Sequence, residues 1–284
     1  HDELEELAIE QQTSEQAVTA QRGTIYDSKG SVLAISSTVY DVILSPKAIV
    51  EKQEALGKED KGSGANVQTL IATGLADILG NVDAASIEEK CADKSSQYKK
   101  IATKIDSTTE DAVREFISEN ELAGCIYLTP NTKRYYPYSD LAAQVIGFTN
   151  EAGGAYGIES QLNKELAGNA GLVVTATNGR GTDLLNFFQD YYDAENGDDV
   201  HLTIDATIQS YCEKYLAEGI AEYDAQKGGF VIALDCDSGG VLGMASAPTY
   251  DLNDYSKVID KKLLEKIDKK KMTESDALYE MWRN

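Results

Sequence analysis

The chain is short of the residues from which metal sites are usually built. It has only two histidines, His1 and His201, and its four cysteines lie far apart with no C-x-x-C pair. Because zinc sites cluster histidine and cysteine ligands, the sequence predicts no metal site. Four cysteines could form two disulfides or none. We expect free, buried thiols, because a chain of 284 residues can build a core without disulfides.

Basic residues and long apolar runs are also scarce. The chain has 26 Lys and Arg against 48 Asp and Glu, a net charge of −22. Such a charge repels phosphate backbones, so nucleic acid is not an expected partner. Six carboxylates precede the first Lys or Arg, Arg22, which excludes a basic membrane-binding helix there. No apolar run approaches the roughly 20 residues that cross a bilayer.

What is present predicts a folded α+β protein. Hydrophobic residues make up 42% of the chain and charged residues 26%, which is ordinary for globular proteins, and the length suggests roughly two domains. A turn at residues 27–30 separates two apolar, β-branched runs and predicts a hairpin. Apolar spacing predicts helices over 3–18, 67–79, 87–101, 107–117, 157–168 and 204–223, and strands over 125–128, 171–177, 230–234 and 241–245.

Five segments carry a more specific signal through their order along the chain. They are RGTIYDSKGSVLA, RYYPYSDLAAQVIGF, GAYGIESQLNKELAGNAG, DVHLTIDATIQ and GGFVIALDCDSGGVLGMASAPTYDLN. In this order they resemble the class B penicillin-binding proteins, most strongly from Lys133 onward. One R-G-x-I-x-D match would be weak, but five matches in the family's order make chance a poor explanation.

The resemblance implies an elongated, multi-part pedestal followed by an incomplete transpeptidase module of the serine β-lactamase-like fold. Residues 1–20 would form a juxtamembrane helix, 21–195 the pedestal or dimerisation domain with a helical subdomain at about 66–120, and 196–284 the N-terminal part of the transpeptidase domain. The parent protein would cross-link peptidoglycan stem peptides outside the cell membrane, tethered by an N-terminal helix. Its partners would be those substrates and the peptidoglycan synthesis machinery. A homodimer is also open, and no cofactor is expected.

The residues that match the family's motifs are expected to be structural rather than catalytic. Several are glycines, expected where the backbone turns or approaches another segment closely. Asp205 precedes a long helix and can accept its free N–H groups. Arg134 and Glu159 could pair or could remain two solvated charges. The full set is Arg22, Gly23, Asp27, Gly30, Arg134, Tyr136, Pro137, Gly147, Gly157, Glu159, Gly168, Gly171, Asp205, Gln209 and Pro248.

The motifs that carry the family's chemistry are not found in their expected place. That chemistry is acyl transfer by the serine of Ser-x-x-Lys, helped by Ser-x-Asn and a Lys-Thr-Gly strand. Ser96 to Lys99 and Ser118 to Asn120 match the first two patterns by letter. Both lie in the helical subdomain, so we interpret them as accidental. The chain is therefore predicted to be inactive alone. We expect the natural protein to continue past Asn284 and to meet Ser-x-x-Lys soon afterwards. In the family one variable connection precedes the serine helix, and residues 254–284 resemble it because their Lys-rich helix lacks the dense apolar face of a core element.

Two other functional hypotheses stay open. The chain could act only as a non-catalytic module that docks cell-wall synthesis partners. An unrelated secreted hydrolase would need acid pairs such as Asp198 and Asp199 to converge. A calcium loop at residues 235–246 is disfavoured, because Gly239 and Ser246 stand where two ligands should be, so a hairpin turn is expected there.

Overall fold

The structure is a computed structural model that describes residues 13–18, 20–59, 66–94, 96–176, 189–225 and 227–283. The chain divides into two compact units, Ser37–Lys133 and His1–Ser36 with Arg134–Asn284. Both units combine helices and strands, which confirms the α+β prediction. No helix in the described ranges is long and apolar enough to cross a membrane.

The unit of residues 37–133 packs its helices and strands around one hydrophobic core. Its elements are the later part of β3 (Val32–Leu44), α1 (Pro46–Glu59), α2 (Val67–Leu79), α3 (Ala84–Cys91), β4 (Lys99–Ile105), α4 (Ser107–Glu119) and most of β5 (Ile126–Tyr135). Strand β4 pairs antiparallel with β3, and β5 also pairs with β3. Its fully buried residues include Leu44, Ile49, Ile71, Leu75, Ile87, Val113 and Leu122.

Helix ends in this unit follow the expected capping chemistry, with two corrections. Helix α2 ends at Gly80, as predicted, in the left-handed conformation that glycine tolerates. Helix α4 is capped by Asp106, one residue before the predicted capping box. The helix predicted over 87–101 ends at Cys91. Residues 99–105 are a strand instead, because their backbone pairs with β3.

The other unit joins both ends of the described chain in a second core. Its elements are β1 (Thr13–Val18), β2 (Ile25–Tyr26), the start of β3, α5 (Ala143–Ile146), β6 (Thr149–Asn150), β7 (Gly153–Gly154), α6 (Gly157–Gln161), α7 (Asn163–Ala167), β8 (Gly171–Ala176), β9 (Gln189–Tyr192), β10 (Val200–His201), α8 (Ala206–Glu222), β11 (Gly229–Leu234), β12 (Val241–Ala247), α9 (Lys261–Asp268) and α10 (Glu274–Arg283). Strand β2 pairs with β3 and β10, as the predicted hairpin requires. The core contains Ile25, Leu33, Ile146, Leu166, Tyr250 and Met281.

Three predictions in this unit were wrong. Residues 13–18 of the helix predicted over 3–18 form strand β1, because they pair antiparallel with β8; residues 1–12 lie outside the described residues. The helix predicted over 157–168 is two short helices, α6 and α7, that meet at Leu162. Residues 254–284 were expected to lack a dense apolar face, yet Leu263, Ala277 and Met281 are buried in the core.

Helix α8 buries only part of the stripe that its apolar spacing predicts, which consists of Ile204, Ile208, Tyr211, Cys212, Tyr215, Leu216 and Tyr223. Tyr211 and Tyr215 are 54% and 60% exposed and stack on each other at 6.2 Å, rather than joining the core. Ile208, Cys212 and Leu216 form the inward part of the predicted stripe, and they lie over the glycines of β11 and β12. Those glycines lack side chains, so the helix can approach the strands closely.

Strands β11 and β12 form a hairpin with one covered and one open face. Helix α8 packs on one face. Phe230, Ile232, Leu234 and Met244 are between 38% and 76% exposed. The turn between the strands is closed by Asp235, whose carboxylate accepts hydrogen bonds from Asp237 and Ser238, as expected for a hairpin turn.

The four cysteines differ in exposure. Cys91 and Cys125 are buried, and burial raises the pKa of the Cys91 thiol to about 11. Cys212 is half-buried and Cys236 is exposed, so the expectation of burial was wrong for Cys236, which lies in the turn after β11.

Replacing Leu75 with alanine tests the core of residues 37–133. Leu75 is fully buried in α2, so Leu75→Ala should lower the free energy of unfolding by about 3 kcal/mol through lost burial and the cavity left behind. Leu70→Ala, in the same helix at a 37% exposed position, is the control and should cost less than about 1 kcal/mol. Urea unfolding followed by circular dichroism measures both, and equal losses would contradict this core assignment.

Candidate functional site

The Arg22-Gly23 pair lies where three chain segments meet. Gly23 N donates to Leu166 O at 2.9 Å, and Gly197 N donates to Gln21 O at 2.9 Å. A Cβ atom on Gly23 would lie 1.9 Å from the carbonyl oxygen of Asp198, so only glycine fits this close approach. The glycine therefore lets the base of the hairpin contact residues 165–169 and 195–199.

Arg22 then reaches a buried carboxylate that it shares with Arg134. Arg22 Nε lies 2.6 Å from Glu159 Oε2, and Arg134 Nε lies 2.7 Å from Glu159 Oε1. The exposed fractions of the three side chains are 0% for Glu159, 4% for Arg134 and 12% for Arg22. Tyr136 Oη also donates to Glu159 Oε1, at 3.4 Å. Arg134 and Glu159, left open by the sequence, are thus a buried ion pair.

Further hydrogen bonds fix the two guanidinium groups. Arg22 donates to the backbone oxygen of Glu159 at 2.7 Å and to Asn163 Oδ1 at 2.8 Å. Arg134 Nη1 donates to Gly23 O at 2.7 Å and to Ser36 Oγ at 3.2 Å. Its Nη2 is buried without a hydrogen-bond partner among the described residues, so part of its desolvation cost is not offset.

Backbone geometry explains how Glu159 comes to this position. It lies in the first turn of α6, which begins at Gly157 with φ +57°, and Gly147 with φ +72° approaches the same peptide. A Cβ atom on Gly147 would lie 1.9 Å from Tyr156 O, and one on Gly157 would lie 2.5 Å from Val145 O. The two glycines let these segments touch, which sets the start of α6 and therefore the carboxylate.

A second cluster joins the hairpin turn to the start of α8. Asp27 Oδ1 accepts hydrogen bonds from the backbone N–H groups of Lys29 and Ser31, and its Oδ2 accepts from Ala206 N at 3.1 Å. Asp205 caps the same helix by accepting from Thr207 and Ile208, as predicted. Lys29 Nζ lies 2.7 Å from Asp205 Oδ2. Two carboxylates thus meet at one helix N-terminus, where the helix dipole favours negative charge.

These contacts lower the pKa of both carboxyl groups. Burial alone would raise the pKa of Asp27, but the N–H donors of Ser31, Ala206 and Lys29 outweigh it and hold the pKa below its usual value. The Lys29 ammonium and the helix N–H groups lower the pKa of Asp205. Both groups are therefore ionised in the folded protein under ordinary conditions.

Gln209 fastens α8 to β12. Its side-chain amide accepts from Met244 N at 2.7 Å and donates to Met244 O at 2.9 Å, as a strand neighbour would. It also donates to Glu213 at 2.7 Å, and Glu213 accepts from Ala142 N. Burial raises the pKa of Glu213. A fully buried glutamine therefore holds the helix in register with the strand.

The remaining predicted residues lie at turns and strand starts. Gly30 closes the hairpin turn with φ +86°, Pro137 begins the turn after β5, and Gly171 begins β8. A Cβ atom on Gly168 would lie 2.3 Å from Glu195 O. Pro248 follows β12 and its carbonyl accepts from Gln144. None of them meets the ion-pair cluster directly, and their role as family signatures stays a prediction.

The serine patterns read from the sequence form no catalytic arrangement. Ser96 Oγ donates to Tyr98 O, and Lys99 Nζ pairs with Asp93 at 2.8 Å rather than with the serine. Asn120 ends helix α4. Asp199 accepts from Thr24 N, so it anchors the hairpin. In the described part of the chain, no group of three His, Cys, Asp or Glu side chains is placed to hold a metal ion.

Sequence analysis did not identify four residues that contact these clusters. Asn163, Lys29 and Glu213 supply a hydrogen bond or an ion pair, and Asn253 exchanges two hydrogen bonds with the backbone of Tyr136. Asn163 and Glu213 follow Glu159 and Gln209 by four residues, so helical spacing was a usable signal for both. Lys29 and Asn253 reach partners more than a hundred residues away, which no local pattern indicates.

Comparison with known proteins identifies the family to which this chain is similar. The family model for the penicillin-binding protein dimerisation domain matches residues 17–202. The chain is 30% identical over 245 residues to a probable peptidoglycan D,D-transpeptidase, PenA, of Neisseria gonorrhoeae, covering 84% of this chain and 38% of that protein. The chain thus spans well under half the length of this relative.

Two solved structures share the fold. One is a peptidoglycan synthetase from Bifidobacterium adolescentis, with a TM-score of 0.54 and 27% identity over 84% of this chain and 44% of that chain. The other is the penicillin-binding protein PBP2 of Helicobacter pylori in a complex with MreC, with a TM-score of 0.58 and 20% identity over 90% of this chain and 47% of that chain.

Glu159→Gln tests the buried ion-pair cluster. The substitution keeps the shape but leaves two buried guanidinium groups without a counter-charge, so the free energy of unfolding should fall by about 3 kcal/mol. Trp282, the single tryptophan, packs on Phe148 and Tyr156 in the same core, so its fluorescence during urea unfolding is the measurement.

Glu265→Gln is the matched control for that substitution. Glu265 pairs with Lys269 at 3.0 Å on the exposed side of α9, and losing such a pair should cost less than about 0.5 kcal/mol. A loss at Glu159 no larger than the loss at Glu265 would contradict the role assigned to the cluster.

The Asp27 cluster predicts a loss of stability in acid. The pKa of the Asp27 carboxyl is lower in the folded than in the unfolded chain. Its ionised form therefore stabilises the fold at pH values above the unfolded pKa of roughly 3.9. This stabilisation is lost as the pH falls through the folded pKa. Asp27→Asn should therefore reduce the slope of stability against pH below about pH 5. Asp111→Asn, at an exposed position of α4, is the charge-matched control. If Asp27→Asn keeps the wild-type slope of stability against pH, Asp27 does not cause the loss of stability in acid.

Proposed function

Because the chain belongs to the penicillin-binding protein dimerisation-domain family, we propose that it is the pedestal, followed by the N-terminal part of the transpeptidase domain, of a peptidoglycan D,D-transpeptidase. In this proposal it lies outside the cell membrane and is itself non-catalytic. The remainder of the parent protein carries the acyl-transfer chemistry of cell-wall cross-linking. Its serine attacks a carbonyl carbon of one stem peptide, and the C-terminal residue leaves as an amine; the amine of a second stem peptide then attacks the acyl-serine ester, which forms the cross-link and releases the serine. The stem peptides are substrates of that remainder.

The observation that carries this proposal is the contact between the hairpin turn at residues 27–30 and the start of α8, which we assign to the pedestal and to the transpeptidase domain respectively. Asp27, in the pedestal hairpin, accepts a hydrogen bond from Ala206 at the first turn of α8. The pedestal cluster of Arg22, Arg134 and Glu159 fixes the base of that hairpin. Both sets belong to one compact unit. A rigid junction of this kind would hold a transpeptidase domain at a set position on its pedestal.

The open face of β11 and β12 also supports the proposal. Its large apolar residues, among them Phe230 at 76% exposed, resemble half of a sheet core rather than an outer surface. We propose that later segments of the parent protein cover this face and complete the transpeptidase fold. The nucleophilic serine of Ser-x-x-Lys would lie in those segments.

A second candidate function is that of a non-catalytic interaction module for cell-wall synthesis. The PBP2 of H. pylori whose fold this chain shares was solved with MreC, so a protein of this fold binds another protein. The two functions are compatible, because a pedestal can position a transpeptidase and dock a partner.

Labelling with a fluorescent penicillin tests whether the catalytic serine lies in the later segments of the parent protein and not in the 284-residue chain. The 284-residue chain should form no covalent adduct, whereas the parent protein, with its later segments, should form one at a serine that Ser-x-x-Lys marks. Intact-mass spectrometry measures both, and Ser96→Ala in the 284-residue chain is the control. An adduct at Ser96, or an unlabelled parent protein, would refute the proposal.

A further inference from the structure

A cavity of ≈ 410 Å³ lies between the end of α8, the end of β12 and the start of α9. Its floor is apolar and includes Ile220, Ala247, Pro248 and Leu263. Gly228 adopts φ +76° and passes so close to β12 that a Cβ atom would lie 2.0 Å from Ala247 O. The backbone therefore forms a tight wall on one side, and the volume is within the range of ligand-binding pockets.

The rim of the cavity is rich in lysine. Four lysines line it: Lys227, Lys261, Lys262 and Lys266. Two of them have distant, weak partners, since Lys262 Nζ lies 3.8 Å from Asp224 and Lys266 Nζ lies 3.5 Å from Glu280. Within the described residues, no ion pair is found for the other two.

Carboxylates do not cancel this charge. Of the residues that the structure describes, only Asp260 and Glu280 line the cavity with negative charge. Asp260 already caps α9 by accepting a hydrogen bond from Leu263 N at 2.8 Å. Residues 257–271 carry seven lysines against three carboxylates, in a chain whose net charge is −22. The cavity therefore opens on a positive patch of an otherwise negative protein, and such a patch attracts anionic partners.

We propose that this cavity binds an acidic peptide segment that carries a large apolar side chain. The apolar floor receives the side chain, and the lysine rim pairs with carboxylates on either side of it. The lysines continue past the end of α9, at Lys269 and Lys270, which suits an extended ligand better than a compact one. Charge complementarity favours acidic peptides over other peptides and speeds their association with the cavity.

Fluorescence anisotropy with a synthetic probe tests the proposal. The probe is a fluorescein-labelled peptide in which two leucines are flanked by runs of glutamate, and its matched control has glutamine in place of every glutamate. The 284-residue chain should bind the acidic probe, with weaker binding at higher salt, and should not bind the glutamine peptide.

Charge-reversal variants locate the site. Lys227→Glu with Lys261→Glu should weaken binding about tenfold or more. Lys47→Glu with Lys94→Glu changes the net charge equally at exposed positions outside the cavity and should have little effect. Ile259→Ser, at a 40% exposed lining position, should weaken binding without changing the charge. Circular dichroism checks that each variant is folded, because Trp282 reports only on its own unit and Lys47 and Lys94 lie in the other.

Three results would overturn the proposal. Absence of probe binding is the first, and equal weakening by both charge-reversal pairs is the second, because it would indicate a non-specific charge effect. The third is saturable binding of dodecanoate, displaced by neither peptide, which would assign the cavity to a small amphipathic anion instead.

Discussion

The buried carboxylate of Glu159 is the interaction on which the unit around it depends. Its two arginine partners come from positions 137 and 25 residues away in the sequence, and all three side chains are almost fully removed from water. Taking these charges out of water is expensive, and their attraction offsets that cost only while the geometry is intact. The cluster therefore selects one arrangement of the hairpin, the end of β5 and α6, because any other arrangement would leave a charge buried and unpaired. Gly23, Gly147 and Gly157 are needed because side chains there would prevent the approach.

The same hairpin carries a second polar constraint at its tip. Asp27 is engaged by backbone donors of its own turn and by the first turn of α8, and Asp205 and Lys29 complete that junction. The base of the hairpin is thus fixed by the buried ion pairs and its tip by the helix N-terminus, while Ile25 and Leu33 between them lie in the core. Gln209 then extends the link from α8 to β12. Polar contacts at both ends and apolar packing between them connect the hairpin firmly to the start of α8, where the proposed pedestal meets the proposed transpeptidase domain.

Much of this could be predicted from the sequence, and the failures have identifiable causes. The hairpin, α2 with its Gly80 cap, α8 and the hairpin of β11 and β12 follow from local patterns, and family resemblance singled out Arg22, Arg134 and Glu159. Predictions from local patterns were wrong where pairing with a distant strand determines the secondary structure, as at residues 13–18, which pair with β8. They failed again at α8, where tyrosine spacing suggested burial but the glycines of β11 and β12 face Ile208, Cys212 and Leu216 instead. The sharing of one carboxylate by two arginines is a three-body contact, which pairwise charge patterns do not show.

The most direct test of this account is a double-mutant cycle on Arg22→Met and Arg134→Met, with Trp282 fluorescence as the probe of unfolding. Each single substitution leaves Glu159 one arginine partner, whereas the double substitution leaves a buried carboxylate with no counter-charge and only the 3.4 Å hydrogen bond from Tyr136. The account predicts that the double variant loses more stability than the two single variants together, by at least about 1 kcal/mol. Losses that add within about 0.5 kcal/mol would mean that the arginines act independently, and would contradict the central role of Glu159.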